Sequence, residues 1–166
     1  MIDDRIKIAE KIFNESIEAK YEDALNMCSD VLDVSTNRVE IYLAHEVRCS
    51  ILSSIGKVAE AIREASMMVD LECSQPHPLF KRARLFLRIG RNEDAISDLT
   101  KILCLDDNYF RETALFLRSF ANLEINREHS IRDAMLLSDG FSFSIRTANF
   151  GYREFSKEDL LKMAGD

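Results

Sequence analysis

The sequence predicts an all-α fold built from paired helices, and three observations carry this prediction. Chain breakers are scarce, because the 166 residues include only five glycines and two prolines, whereas an all-β fold needs many turns. Apolar residues recur at helical spacing in one segment after another. Several residues also recur 34 positions along the chain, and these pairs are Gly56 and Gly90, Ala61 and Ala95, Ile62 and Ile96, and Leu71 and Leu105.

Apolar periodicity and turn residues define eight predicted helices. They cover residues 4–18, 21–32, 39–55, 57–71, 79–89, 92–105, 109–125 and about 130–137. The short connections between them require neighbouring helices to be antiparallel. Pro76 and Pro78 suit a loop followed by the first turn of a helix, where a missing backbone N–H costs little.

A 34-residue period with two helices in each unit resembles the tetratricopeptide repeat (TPR) family. The positions that carry the resemblance are Cys49, Leu52, Gly56, Ala61, Ala65 and Leu71 in the unit 42–75, and Ala83, Phe86, Gly90, Ala95, Leu99 and Leu105 in the unit 76–109. Small residues there let paired helices approach closely, and each glycine ends a first helix with a positive φ. The resemblance implies a TPR-like α-solenoid of about three to four repeats.

The terminal units depart from the family pattern. Ala24 and Ala61 are 37 residues apart, three more than the period, so we expect an insertion in the stretch "DVSTN" at 33–37. In the last unit, 109–137, Leu117 stands where a small residue belongs. Such departures are expected at the ends of a solenoid, because a terminal unit buries only one face.

The segment 139–166 breaks the helical pattern, so we treat it as a tail distinct from the repeat domain 1–138. Its aromatic residues are Phe141, Phe143, Phe150, Tyr152 and Phe155. "FSFSI" alternates like a strand, and a capping box from Ser156 to Asp159 predicts a final short helix. Two arrangements stay open: the tail covers the apolar end of the last repeat, or it lies in a groove or presents its aromatics to another chain.

Charge and cysteine usage limit the functional class. A net charge of −7 and a pI near 5.1 argue against a binder of nucleic acid or anionic membranes, since these ligands require clustered Lys and Arg. The four cysteines Cys28, Cys49, Cys73 and Cys104 form no CxxC motif, which favours free thiols in a reducing compartment. No signal-peptide pattern or long apolar run is visible, so we expect a cytoplasmic protein.

No catalytic signature occurs in the sequence. The chain lacks a GxxxxGK[ST] loop, a GxSxG elbow and an HExxH motif. The histidines His45, His77 and His129 are far apart in the sequence, and His45 occupies a packing position on its helix. We therefore expect a non-enzymatic protein without a cofactor or metal.

The resemblance implies that the first helix of each unit lines a concave groove. The implied groove positions are Leu43, Glu46, Val47, Ser50, Ser53, His77, Phe80, Lys81, Arg84, Arg88, Arg111, Ala114, Leu115 and Arg118. Among them, Lys81, Arg84, Arg88, Arg111 and Arg118 would form a basic ladder. Arginine holds carboxylates bidentately, so an acidic protein segment is the implied partner. The alternative is a charged helix face that is simply solvated.

These expectations favour a protein–protein interaction module, acting as an adaptor or scaffold. A structural or self-assembling subunit, forming a homo-oligomer through the tail, is the first alternative. A co-chaperone adaptor is the second, although Val47 stands where the carboxylate clamp of that group has its middle Asn. Any such clamp would therefore be non-standard.

Overall fold

The computed structural model describes residues 19–105 and 108–165. The described chain is mostly helical, as predicted, and it also contains a small two-stranded antiparallel sheet that the all-α prediction did not include. Its elements are α1 (19–34), α2 (Arg38–Ser54), α3 (Val58–Leu71), α4 (Pro76–Arg88), α5 (Asn92–Cys104), α6 (Asn108–Asn122), α7 (Arg127–Met135), β1 (Ser142–Thr147), β2 (Gly151–Ser156) and α8 (Lys157–Gly165). The helix predicted over 4–18 lies outside the described residues.

The helices form a linear array in which each of α2 to α6 packs against the next helix along the chain. The short connections make consecutive helices antiparallel. In addition, α4 contacts α6, and residues of α2, α4 and α6 line one common cleft. These three helices therefore form one layer, and their partners α3, α5 and α7 form the other. None of the described helices is long and apolar enough to span a bilayer.

The recurring small residues lie where paired helices meet, as predicted. Ala61 and Ala65 of α3 have no exposed surface, and the same is true of Ala83 in α4 and Ala95 in α5. A larger side chain at these positions would push the helices apart, because protein interiors are close-packed. The recurrence of alanine is thus explained by packing.

The recurring glycines end α2 and α4 in the same way. Gly56 has φ 84° and Gly90 has φ 75°, a conformation that costs glycine little. The N–H of Lys57 donates to the carbonyl of Leu52 over 2.9 Å, and the same bond joins Arg91 to Phe86 over 2.9 Å. This is the Schellman arrangement, which satisfies carbonyls at the end of a helix. The predicted positive φ at both glycines is confirmed.

The insertion predicted near "DVSTN" lengthens a helix rather than a loop. Only residues 35–37 connect α1 to α2, and the Asn37 side chain caps α2 by accepting from the Val39 N–H over 2.9 Å. Helix α2 has 17 residues and α4 has 13, so α2 gains about one turn at its start. Helix α4 begins at Pro76, three residues before the predicted start at 79, because prolines are tolerated in a first turn.

The tail folds into a hairpin and a helix. Strand β1 finds its partner in the residues that follow it, with Ser142 opposite Ser156 and Thr147 opposite Gly151. The capping box is confirmed, since the Ser156 N–H donates to Asp159 Oδ2 over 2.8 Å and the Asp159 N–H donates to Ser156 Oγ over 3.1 Å. Helix α8 follows directly, as predicted.

The tail shares one hydrophobic core with the helical array. Helix α8 packs on α7 and α6, with Leu160 fully buried, and the ring centroids of Phe155 and Phe120 are 5.2 Å apart. Strand β1 also contacts α4, and the ring of Phe143 packs at a tilt against that of Phe116 with centroids 5.9 Å apart. Of the arrangements left open by the sequence, the capping one is present, because α8 packs on the last repeat. The hairpin lies beside the helices α4 and α6 that line the groove.

Candidate functional site

A cleft of about 850 Å³ lies between the layer α2, α4, α6 and the β-hairpin. Helices supply much of its lining, including Ser50, Ser53, His77, Phe80, Lys81, Arg84, Arg88, Tyr109, Phe110 and Thr113. The hairpin supplies Phe143, Ile145, Arg146 and Tyr152. The cleft therefore combines cationic and aromatic groups on one surface.

Lys81 lies at the α2 side of the cleft and is largely neutralised there. Its Nζ is 3.3 Å from Glu46 Oε1 and donates to Ser50 Oγ over 3.0 Å. The Nε2 of His77 is 3.6 Å from the same Glu46 oxygen. The single carboxylate of Glu46 thus balances the cation at this end of the cleft.

Arg88, the last residue of α4, is half-buried. Its Nη1 donates to the carbonyl of Ser53 over 2.6 Å and to Ser53 Oγ over 3.1 Å. Burial, and then the nearby charge of Arg146, lower the pKa of Arg88 below its ordinary value. Its counter-ion is missing, because no carboxylate within the described part of the chain forms an ion pair with it.

Arg84 lies between Lys81 and Arg88 and contacts aromatic rings instead of acids. Its guanidinium carbon is 5.8 Å from the centroid of Phe80 and 5.9 Å from the centroid of Phe143. Such cation–π contacts hold a guanidinium flat while leaving its N–H groups available. Across residues 19–105 and 108–165, Arg84 has no ion pair.

Arg146 was not anticipated from the sequence, because it lies in β1, after the last repeat. It is exposed, and it is directly opposite Tyr152 in the hairpin, so both side chains point to the same side of the two strands. The turn stretch "TANFG" between two strand-like runs was the signal that could have revealed this hairpin. Within the described chain no carboxylate pairs with Arg146.

The predicted basic ladder does not continue onto α6. Arg111 is exposed and does not line the cleft, and Ala114 and Leu115 are buried in the core. Arg118 also lies outside the lining: its Nε and Nη2 donate to the two carboxylate oxygens of Asp133, each over 2.7 Å. In their place, the residues of α6 that line the cleft are Tyr109, Phe110, Thr113 and Leu117.

Arg118 belongs to a different set of arginines, and each member of this set joins three successive helices. Each arginine bonds to a carboxylate on the following helix and donates to a hydroxyl on the preceding helix. The three sets are Arg48 with Glu64 and Ser29, Arg82 with Asp98 and Ser66, and Arg118 with Asp133 and Thr100. Arg118 is thus the equivalent of Arg82 and not of Arg84, although Arg84 and Arg118 are 34 positions apart, and this is why the family spacing misplaced it.

Aromatic rings continue the cleft surface between the cations. The centroids of Phe80 and Phe110 are 5.0 Å apart, and Phe143 extends the row from the hairpin. Tyr109 and Tyr152 are largely exposed, at 86% and 73%. Exposed aromatic side chains beside arginines are typical of surfaces that bind polypeptides.

Among residues 19–105 and 108–165, no three His, Cys, Asp or Glu side chains cluster as a metal site would require. His45 is a satisfied core histidine, with Nδ1 2.7 Å from Glu64 Oε2. Cys49 lines the cleft, but burial raises the pKa of its thiol to about 11, so it stays protonated at neutral pH.

Comparison with protein families, curated proteins and solved structures found no match to this chain.

Proposed function

We propose that this protein is a non-enzymatic, TPR-like adaptor that binds an acidic segment of a partner protein in the cleft. One observation carries the proposal: Arg84, Arg88 and Arg146 line the same cleft, and none has a carboxylate partner in the described chain. The four free cysteines fit an adaptor that acts in the cytoplasm, where thiols stay reduced.

The local charge of the cleft is opposite to that of the whole protein. The chain carries a net charge of −7, which repels acidic ligands at long range, but salt screens this repulsion beyond about 8–10 Å. Within the cleft, guanidinium forks form paired hydrogen bonds to carboxylates, and they do so more strongly than lysine. An acidic ligand is therefore attracted to this surface specifically.

The shape and the aromatic lining favour a short polypeptide segment. A cleft of about 850 Å³ is in the size range that accommodates several side chains. The rings of Phe80 and Phe110 pack together at an angle of 53° and give the lining an apolar part, and Arg84 lies over Phe80. A segment that alternates acidic with apolar or aromatic side chains satisfies both kinds of lining.

Charge reversal tests this function with a matched control on α6. The probe is a fluorescein-labelled, terminally blocked peptide of alternating glutamate, leucine and phenylalanine, followed by anisotropy at low and physiological salt. We expect Arg84→Glu to weaken binding at least about tenfold, equivalent to about 1.4 kcal/mol, and Arg111→Glu to change it less than about twofold. The proposal fails if both variants bind like the wild type, or if the wild type does not bind.

The alternatives have less support. Self-assembly through the tail is less favoured because Phe155, Ile145 and Leu160 of the tail are buried within their own chain, although Phe150 and Tyr152 are exposed. A co-chaperone clamp requires a suitable polar group at Val47, which is an exposed valine that does not line the cleft. We therefore favour the acidic-segment adaptor.

A further inference from the structure

We propose that the partner segment is phosphorylated, and that Arg88 and Arg146 bind its phosphate group with help from Arg84. This inference rests on the function proposed above and specifies its ligand. The cleft then distinguishes the phosphorylated form of the partner from the unphosphorylated form.

The first step is the exceptional position of Arg88. Four arginines of the described chain are half-buried, and Arg48, Arg82 and Arg118 each bond to a carboxylate within the protein. Arg88 alone among these four has no such partner. Removing a cation from water without a counter-ion is costly, so the missing counter-ion is expected to come from a ligand.

The second step is the like charge that faces Arg88. Arg146 reaches the same cleft from β1, and its positive charge adds to burial in lowering the pKa of Arg88. Neither guanidinium forms an ion pair with another residue of 19–105 or 108–165, so the two like charges that line this cleft repel each other. An anion bound between them removes this repulsion.

The third step is the charge of that anion. A carboxylate brings one negative charge and two acceptor oxygens, whereas a phosphate monoester brings about −1.5 to −2 charges at pH 7 and three acceptor oxygens. Two guanidinium forks match the phosphate in both charge and geometry. The other cation of the cleft, Lys81, is already neutralised by Glu46, which leaves the Arg88 end as the place for the phosphate.

The hairpin is consequently part of the site as well as part of the core. Its buried residues, such as Ile145 and Phe155, anchor it to the array, and its exposed Arg146 completes the anion site. Arg146 therefore determines specificity for phosphate, while Arg84, which contacts Phe80 and Phe143, serves acidic and phosphorylated segments alike.

The test uses three labelled peptides that share one acidic sequence and differ only at the centre, where they carry serine, glutamate or phosphoserine. Comparing them separates this inference from the function on which it rests. Anisotropy titrations use the full chain as wild type, Arg146→Gln and the control Arg111→Gln. We expect wild type and Arg111→Gln to bind the phosphoserine peptide about tenfold tighter than the glutamate peptide. Arg146→Gln is expected to lose most of that preference, because it weakens binding of the phosphoserine peptide much more than binding of the glutamate peptide.

The pH dependence supplies a second readout. Because the second pKa of a phosphate monoester is about 6, the preference for phosphoserine is expected to shrink as the pH falls below that value. Equal binding of the phosphoserine and glutamate peptides would overturn the inference and leave the proposed function standing. Binding of none of the three peptides by the wild type would overturn both.

Discussion

Arg82 of α4 holds Asp98 of α5 through two parallel hydrogen bonds, Nε to Oδ2 over 2.7 Å and Nη2 to Oδ1 over 2.8 Å. Asp98 is 2% exposed, so the carboxylate of this pair is shielded from solvent. Arg82 also donates to Ser66 Oγ of α3 over 3.2 Å. One side chain therefore connects three consecutive helices, and Arg48 and Arg118 do the same elsewhere in the array.

We predict that removing one partner of this pair destabilises the array strongly. Asp98→Ala leaves the Arg82 guanidinium without its counter-ion, and the loss of one member of a buried pair costs about 3–5 kcal/mol. Urea unfolding followed by circular dichroism measures the change in the free energy of unfolding. The control is Asp94→Ala, which removes the exposed pair with Arg91 and is expected to cost less than about 1 kcal/mol.

The double variant Arg82→Met with Asp98→Leu sharpens the same prediction. Apolar side chains of similar volume remove both charges together, so the double variant should be more stable than Asp98→Ala alone. Equal destabilisation by Asp98→Ala and Asp94→Ala would show that the pair contributes no more than a surface contact.

A second prediction concerns the tail, whose helix α8 packs on α6 and α7. Leu160 of α8 is fully buried, whereas Leu136 is 58% exposed. Leu160→Ala is expected to lower the free energy of unfolding by about 2–5 kcal/mol, because it leaves a cavity. Leu136→Ala should change it by less than about 0.5 kcal/mol. Differential scanning calorimetry of the two variants tests this, and equal melting temperatures would mean that the tail is not part of the cooperative core.

The positive φ at the end of α4 leads to a third prediction. A Cβ at Gly90 would meet no atom within 4 Å, so the cost of Gly90→Ala is that of the left-handed backbone alone, about 1–2 kcal/mol. Gly165→Ala, also without a steric neighbour but with an ordinary φ, is expected to be neutral. Thermal unfolding compares the two, and an equal effect at both sites would contradict the backbone explanation.

Thiol reactivity provides a fourth prediction, which depends on pH. Iodoacetamide at pH 8 should modify the exposed Cys73 and Cys104 and spare the buried Cys49, as read by peptide mass spectrometry. Burial raises the pKa of Cys49 from 9.0 to about 11, so the folded state retains that proton longer than the unfolded state. The associated stability is present below pH 9 and is lost as the pH rises towards 11. Rapid labelling of native Cys49 at pH 8 would contradict this.

Local signals in the sequence predicted the helix pairs and their packing. Gly56 and Gly90 recur because each must end a helix with positive φ, and Ala61 and Ala95 recur because paired helices meet there. These requirements involve residues of one helix or of two consecutive helices, so they appear as a regular spacing of residue types in the sequence. The capping box at Ser156 was predictable for the same reason.

Long-range features were less accessible to sequence reasoning. The family spacing placed Arg118 in the groove, but two extra residues lie between Thr100 and Arg118, which are 18 apart where Ser66 and Arg82 are 16 apart. A shift of two positions moves a side chain to another face of a helix. Arg146 was missed because its place beside Arg88 depends on how the hairpin docks, which no period in the sequence encodes.

Nuclear magnetic resonance titration with the phosphoserine or glutamate peptide tests the location of the binding site most directly. We expect the largest chemical-shift changes in the cleft, at Ser53, Thr113 and Ile145, with only small changes at Thr100 and Leu103 of α5. Shifts concentrated on α5 and α7, with the cleft resonances unchanged, would contradict the assignment of this cleft as the site of partner binding.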